Sequence, residues 1–260
     1  MTDALRPLGP NDRNAWRVSA ATADLRRPAR PARPATLAAL PKPVTVDLAR
    51  AALVVVDMQN DFLHPDGWLA GIGVDVAPAR ACIAPLAGLL PAARAAGLPV
   101  VWVNWGVRPD RANLSPALLH VYDPEGSGAG LGAPCGPRAA PVLQQASWSA
   151  RIVEELEPAP DDIHVDKHRM SGFWDTPLDS ILRGLRVDTL FFGGVNADQC
   201  VLHTLADANF LGYDTVLVED ATATTSPDYC LQATLYNARQ IFGFTTTAAA
   251  LSAACEGDPP

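Results

Sequence analysis

FFGGVNADQCVLHTLADANFLGY, Phe191 to Tyr213, is an apolar strand that passes through a tight turn into a helix. The strand is expected over Thr189 to Val195 and the helix over Gln199 to Leu211, with Cys200 in the helix's first turn. A thiol there faces unpaired backbone N–H groups and the positive end of the helix dipole, which favour thiolate over thiol and can also hold an oxyanion. That is a nucleophile's position, although free cysteine is also among the most commonly buried residue types and could be purely structural.

Two further segments have the same strand-end character. Ala51 to Phe62, AALVVVDMQNDF, is a β-branched run ending in Asp57. In open parallel sheets ligands gather outside the carboxyl ends of strands, so an acid there can act on one, or simply cap the turn. Asp162 to Trp174, DIHVDKHRMSGFW, holds another short strand, Ile163 to Lys167, whose terminal lysine is either surface charge or a cation at the sheet's mouth.

Taken together, these three motifs resemble those of the isochorismatase-like cysteine hydrolases, in order and at comparable spacing, over about Ala51 to Phe244. The resemblance implies Asp57 as general base, Lys167 as cationic partner and Cys200 as nucleophile. It also implies a non-proline cis peptide between Val195 and Asn196, with the N–H groups of Asn196 and Cys200 as the oxyanion hole. One position departs from the family pattern: Ala197 stands where threonine is common. The stretch RMSGFWDTPLDSIL is similar to the corresponding segment of ureidoacrylate amidohydrolases, except that Met170 replaces a polar aromatic.

The chemistry follows from the residue types. A free thiol titrates at about 8.5 and needs a base or a cation to act at neutral pH. Asp57 can take its proton while Lys167 stabilises the negative charge; attack on a carbonyl gives an oxyanion for backbone donors to hold. Asp57 returns the proton to the leaving amine and then activates water against the thioester. None of the five histidines is required.

Composition agrees with a single α/β enzyme domain. A chain of 260 residues, 48% hydrophobic, can bury one large core. A net charge of −8 and a pI near 5.0 disfavour nucleic-acid binding. Five scattered cysteines without CxxC spacing suggest neither a disulfide framework nor a zinc site. No apolar run approaches the roughly 18 residues of a membrane span, and no hydrophobic signal core opens the chain, so no membrane association and a cytoplasmic location are expected.

Residues 1–44, rich in Pro, Arg and Ala, are expected to form an extended arm, because RRPARPARP (Arg26 to Pro34) is too dense in proline for a helix or central strand. Such an arm either reaches across a neighbouring subunit, with Trp16 and the arginines as anchors, or is a disordered leader. Residues 45–260 alternate strand and helix. This predicts a doubly wound, three-layer α/β/α domain on a mostly parallel six-stranded sheet. Strands are expected at Ala52 to Asp57, Val100 to Asn104, Ile163 to Lys167, Thr189 to Val195, Thr215 to Glu219 and Thr245 to Ala249. Helices are expected at Val76 to Ala96, bent or divided by its prolines, and at Ala150 to Leu156, Pro177 to Leu185, Gln199 to Leu211 and Tyr229 to Ile241.

Between these elements lies an insertion at about 107–147, in which six prolines and five glycines indicate a long loop that selects the substrate. Asn104, Trp105 and Arg108 open it with an amide, an aromatic wall and a cation. Phe62, Phe173 and Trp174 are further candidate pocket walls, although aromatics at such places can equally be core. The histidine-free NWGVRPDRAN (Asn104 to Asn113) lacks the ligands that hold the metal of nicotinamidases, so no metal is expected. No phosphate-loop or dinucleotide pattern is present either, and no cofactor is expected.

The expected function is therefore cleavage of a C–N bond in a small linear amide, ureide or carbamoyl compound, with ureidoacrylate-like or biuret-like substrates foremost. Vinyl ether hydrolysis and a catalytically silent scaffold are the alternatives. The resemblance also implies a homodimer or homotetramer.

Overall fold

Six parallel strands form the centre of the computed structural model, which describes residues 4–257. They are β1 (Ala51–Val56), β2 (Val100–Trp105), β3 (Ile163–Lys167), β4 (Thr189–Gly194), β5 (Asp214–Thr222) and β6 (Gly243–Thr246), in the spatial order β3-β2-β1-β4-β5-β6. Every neighbouring pair is parallel, which sharpens the expectation of a mostly parallel sheet. Both faces are covered, so β1, β2 and β4 are buried at every residue and are mostly apolar, with Asn104 and Thr189 the polar exceptions.

The helices are α1 (Ile83–Ala95), α2 (Pro116–Tyr122), α3 (Leu178–Leu185), α4 (Leu202–Phe210), α5 (Asp228–Asn237) and α6 (Ala248–Glu256). On one face α1 packs beside α6. The other face carries α3 and α4, where Gly172 fits among Val103, Leu178 and Thr204. A π-helical turn, Ala197–Val201, leads into α4, and a second, Ala238–Phe242, follows α5.

Several elements differ from expectation. The helix expected over Ala150 to Leu156 is absent, because that segment pairs with the residues after β1: Arg151 O accepts from Asn60 N–H (2.8 Å) and Val153 N–H donates to Met58 O (3.0 Å). The strand expected over Thr245 to Ala249 ends at Thr246, and Thr247 then caps α6 by accepting from Ala250 N–H. Here β-branched Thr gives way to Ala, the best helix former. The helix expected over Val76 to Ala96, bent or divided by its prolines, is divided, but between Arg80 and Ile83; Pro85 and Pro91 both lie within α1.

Residues 4–44 are ordered against the domain of their own chain. Short antiparallel strands Arg6–Leu8, Trp16–Val18 and Ala23–Asp24 form one small sheet, and Pro34–Leu37 pairs with Val44–Asp47 in a hairpin. Leu37 joins the main core, and buried Arg13 donates to Ala49 O and Gly97 O. The proline-dense stretch between these sheets has no regular pairing. Residues 107–147 are not structureless either. Ser115 caps α2, with Pro116 in its first turn, and Pro134–Cys135 pairs with Ala140–Pro141. Among the described residues no helix is long and apolar enough to cross a membrane.

Candidate active site

The strand order reverses between β1 and β4, which opens a crevice at their carboxyl ends. Asp57 follows β1 directly, in the left-handed region at φ 51°. Gly194 ends β4 opposite Val56, and the Val195–Asn196 peptide after it is cis. Lys167 and Trp105 end β3 and β2 in register with each other. These strand ends and the turn into α4 converge on one buried cluster.

Within it, Lys167 Nζ lies 2.9 Å from Asp57 Oδ2 and donates to Cys200 Sγ at 3.2 Å and to Arg169 O at 3.2 Å. Asp57 Oδ1 accepts the Trp105 backbone N–H at 2.9 Å. The indole N–H of Trp105 reaches Cys200 Sγ at 3.4 Å, and its ring lies under the ammonium, 4.2 Å from Nζ. Met170 Sδ completes the sulfur's surroundings at 3.8 Å. Asp57, Lys167, Trp105 and Cys200 are each at most 4% exposed.

Burial dominates the electrostatics. It raises the Asp57 carboxyl above its usual range, against the lowering effect of Lys167. Burial also pushes the Cys200 thiol up to about 12, with Asp57 adding to the rise and Lys167 opposing it. Burial thus favours the thiol at Cys200, against the expectation that the helix end would favour the thiolate. The arrangement instead suits a thiol that gives up its proton in the reaction, since Asp57 Oδ2 accepts no well-formed hydrogen bond among the described residues.

The remaining polar residues after Asp57 hold the surrounding loops. Gln59 accepts from Trp105 N–H and donates to Trp105 O and Ala150 O, all at 2.8 Å. Asn60 donates to Trp148 O, and Asp61 accepts from the backbone N–H groups of Trp68 and Leu143. Thr204 ties the nucleophile's turn to the segment after β3, accepting from Gly172 N–H at 3.0 Å and donating to Cys200 O at 2.6 Å. Sequence reasoning missed these braces. The polar run QND inside an otherwise apolar segment was the available signal.

The candidate pocket residues divide. Trp105 is in the cluster, packed beneath Lys167 and Cys200. Asn104 sits beside it, and its buried side-chain oxygen has no partner among the described residues. Asn196 is buried, with its side-chain oxygen accepting from Thr225 N–H. Phe62 is part of the core. Arg108 is placed on the surface, paired with Asp110 through two hydrogen bonds. Trp174 is 63% exposed and donates to Asp207. Phe173 stacks on Tyr213, which precedes β5 and so lies toward the opposite end of the sheet from Cys200. The structure thus does not bring Arg108, Phe173 or Trp174 to the cluster. Tyr122, not singled out from sequence, does come to it from the insertion, its ring 5.6 Å from that of Trp105. Among the described residues no group of three or more His, Cys, Asp or Glu is arranged to hold a metal ion.

Fold and site together define a doubly wound α/β domain with a thiol, a carboxylate and an ammonium group in contact at its switch point. Residues 51–250 match the isochorismatase domain family, and the chain belongs to that family. It is 36% identical over 236 residues to ureidoacrylate amidohydrolase RutB of Rhizobium rhizogenes strain K84, covering 88% of this chain and 94% of that one. Among solved structures, a cysteine hydrolase from Pseudomonas syringae pv. phaseolicola 1448A is similar with a TM-score of 0.68 at 27% identity, covering 88% of this chain and 99% of the other. N-carbamoylsarcosine amidase from Thermoplasma acidophilum gives a TM-score of 0.59 at 29% identity, covering 76% and 96%.

Proposed function

We propose that the protein is an amidohydrolase that cleaves a C–N bond of a small linear amide, ureide or carbamoyl compound through a thioester on Cys200. The observation that carries this reading is the contact of Lys167 Nζ with both Asp57 Oδ2 and Cys200 Sγ inside a buried cluster. The identity to a ureidoacrylate amidohydrolase supports the ureide class.

Asp57 accepts the thiol proton as Sγ attacks the carbonyl carbon, and Lys167 offsets the charge on the sulfur as it forms. The tetrahedral oxyanion accepts hydrogen bonds from the backbone N–H groups of Asn196 and Cys200; each such donor contributes about 3 kcal/mol to lowering the barrier. The C–N bond breaks as the proton on Asp57 passes to the leaving nitrogen. Water then gives a proton to Asp57 and attacks the thioester, releasing the acid and restoring the thiol.

A screen of small amides, ureides and carbamoyl compounds for ammonia or amine release, with Cys200→Ala as the blank, tests the reading. Turnover of a ureide by the native chain, absent from the variant, is expected. Turnover confined to esters or enol ethers would remove the reaction class.

A further inference from the structure

The insertion contributes one side chain to the cluster. Helix α2 has no fully buried residue, yet its last residue, Tyr122, packs its ring between Trp68 (5.2 Å between centroids) and Trp105 (5.6 Å). Trp105 is the residue whose indole N–H reaches the Cys200 sulfur, so the phenol is one aromatic layer from the nucleophile. Burial first, and then the nearby Cys200 and Asp57, hold the phenol well above its ordinary value, so it remains an O–H donor. That donor has no acceptor among the described residues, and its oxygen is not among the fully enclosed, unpartnered atoms. A protonated hydroxyl one aromatic ring from the nucleophile, not fully enclosed and without a partner, suits an oxygen brought by the ligand.

We propose that Tyr122 is a specificity-determining residue: its hydroxyl donates to a second oxygen acceptor on the substrate, beyond the scissile carbonyl, and α2 is the element that delivers it. This rests on the ureide reading above and narrows it to compounds carrying a carboxylate or second carbonyl near the bond cleaved. Tyr122→Phe is the appropriate variant, because it keeps the ring between the two tryptophans and removes only the donor.

N-carbamoylglycine and N-ethylurea form a suitable probe pair, alike at the ureide and differing in the carboxylate. Their binding is measured by calorimetry in the full chain carrying Cys200→Ala, so that no turnover intervenes. Tyr122→Phe in that background weakens N-carbamoylglycine binding about tenfold, as the loss of a hydrogen bond to a charged group does, and leaves N-ethylurea unchanged. An equal loss for both probes, no loss for either, or no preference of the parent for N-carbamoylglycine overturns the proposal. Because binding is read without chemistry, failure of the hydrolysis screen and failure of this assignment are separate results. In the native background, the same substitution raises KM for acceptor-bearing ureides and leaves kcat within about twofold.

Discussion

Lys167 Nζ lies 2.9 Å from Asp57 Oδ2, and neither side chain is more than 1% exposed. A buried ion pair of this kind is costly to break, because removing one partner leaves the other charged and desolvated. Lys167→Met is expected to destabilise the fold by about 3–5 kcal/mol in urea unfolding near neutral pH. Adding Asp57→Asn to it should recover part of that loss. Strict additivity of the two substitutions would show that the charges do not sense each other. The pH dependence has a definite sign. Burial already raises Asp57, and loss of the ammonium raises it further. The folded variant then binds more protons than its unfolded chain, so its stability is greatest below the unfolded carboxyl value and falls as pH rises toward the folded one.

Asp57 and Cys200 should separate reactivity from turnover. The carboxylate raises the thiol, which burial has already pushed up to about 12. Iodoacetamide labelling of Cys200 in the native chain should therefore climb with pH, without levelling off below about pH 10, since only the thiolate reacts. Asp57→Asn removes a negative neighbour and so lowers the thiol. Labelling at a fixed mildly alkaline pH should become faster while hydrolysis falls by at least about a hundredfold for want of the base. Slower labelling in this variant would mean that the carboxylate does not act on the sulfur in the way its position implies.

These two residues, with Lys167, were legible because Asp57 and Lys167 stand at strand ends and Cys200 in the first helical turn after a strand, and a parallel sheet brings such places together. The ionisation state of the sulfur was not legible, because it depends on how completely Trp105, Met170 and the surrounding strand ends exclude water. The loops were misread for a related reason. Ala150 to Leu156 has the composition of a helix, yet its backbone bonds to the residues after Asp57, a choice made by tertiary pairing that no local pattern encodes. Arg108, expected as a cation at the pocket, is held instead by Asp110 two residues on. Tyr122 is carried in by a short helix with no fully buried residue, on which Leu118 and Leu119 are the other side chains packed against the core, so no local pattern set it apart.

Gly194 has φ 112°, and a Cβ on it would lie 2.0 Å from Val56 O. That carbonyl accepts the Val195 N–H at 3.0 Å, so the same contact fixes the end of β1 beside the turn that leads to Cys200. Gly194→Ala is expected to cost at least about 2 kcal/mol, from the positive φ and the clash together. Its effect on kcat should exceed that of an equally destabilising core substitution such as Leu205→Ala, because it moves Asp57 and Cys200 relative to each other. Equal activity in the two folded variants would show that this contact serves stability alone.

The N-terminal segment can be tested at the other end of the sheet. Arg13 is 6% exposed and donates to Ala49 O (3.1 Å) and Gly97 O (2.6 Å), carbonyls that lie just ahead of β1 and β2. Arg33, from the same segment, donates to Ala96 O. These bonds close a helix end and two strand starts, so they join residues 4–44 to the domain where the site's own geometry is not involved. Arg13→Met keeps much of the packing of the stem and removes the donors, which leaves two buried carbonyls short of a partner at a cost of about 2 kcal/mol. For a chain of this size that corresponds to a fall in Tm of about 4–8 °C. Hydrolysis below the transition should be unchanged, since Ala49 and Gly97 stand at the strand ends opposite Asp57 and Trp105. A large loss of kcat without a change in Tm would instead tie the segment to the chemistry.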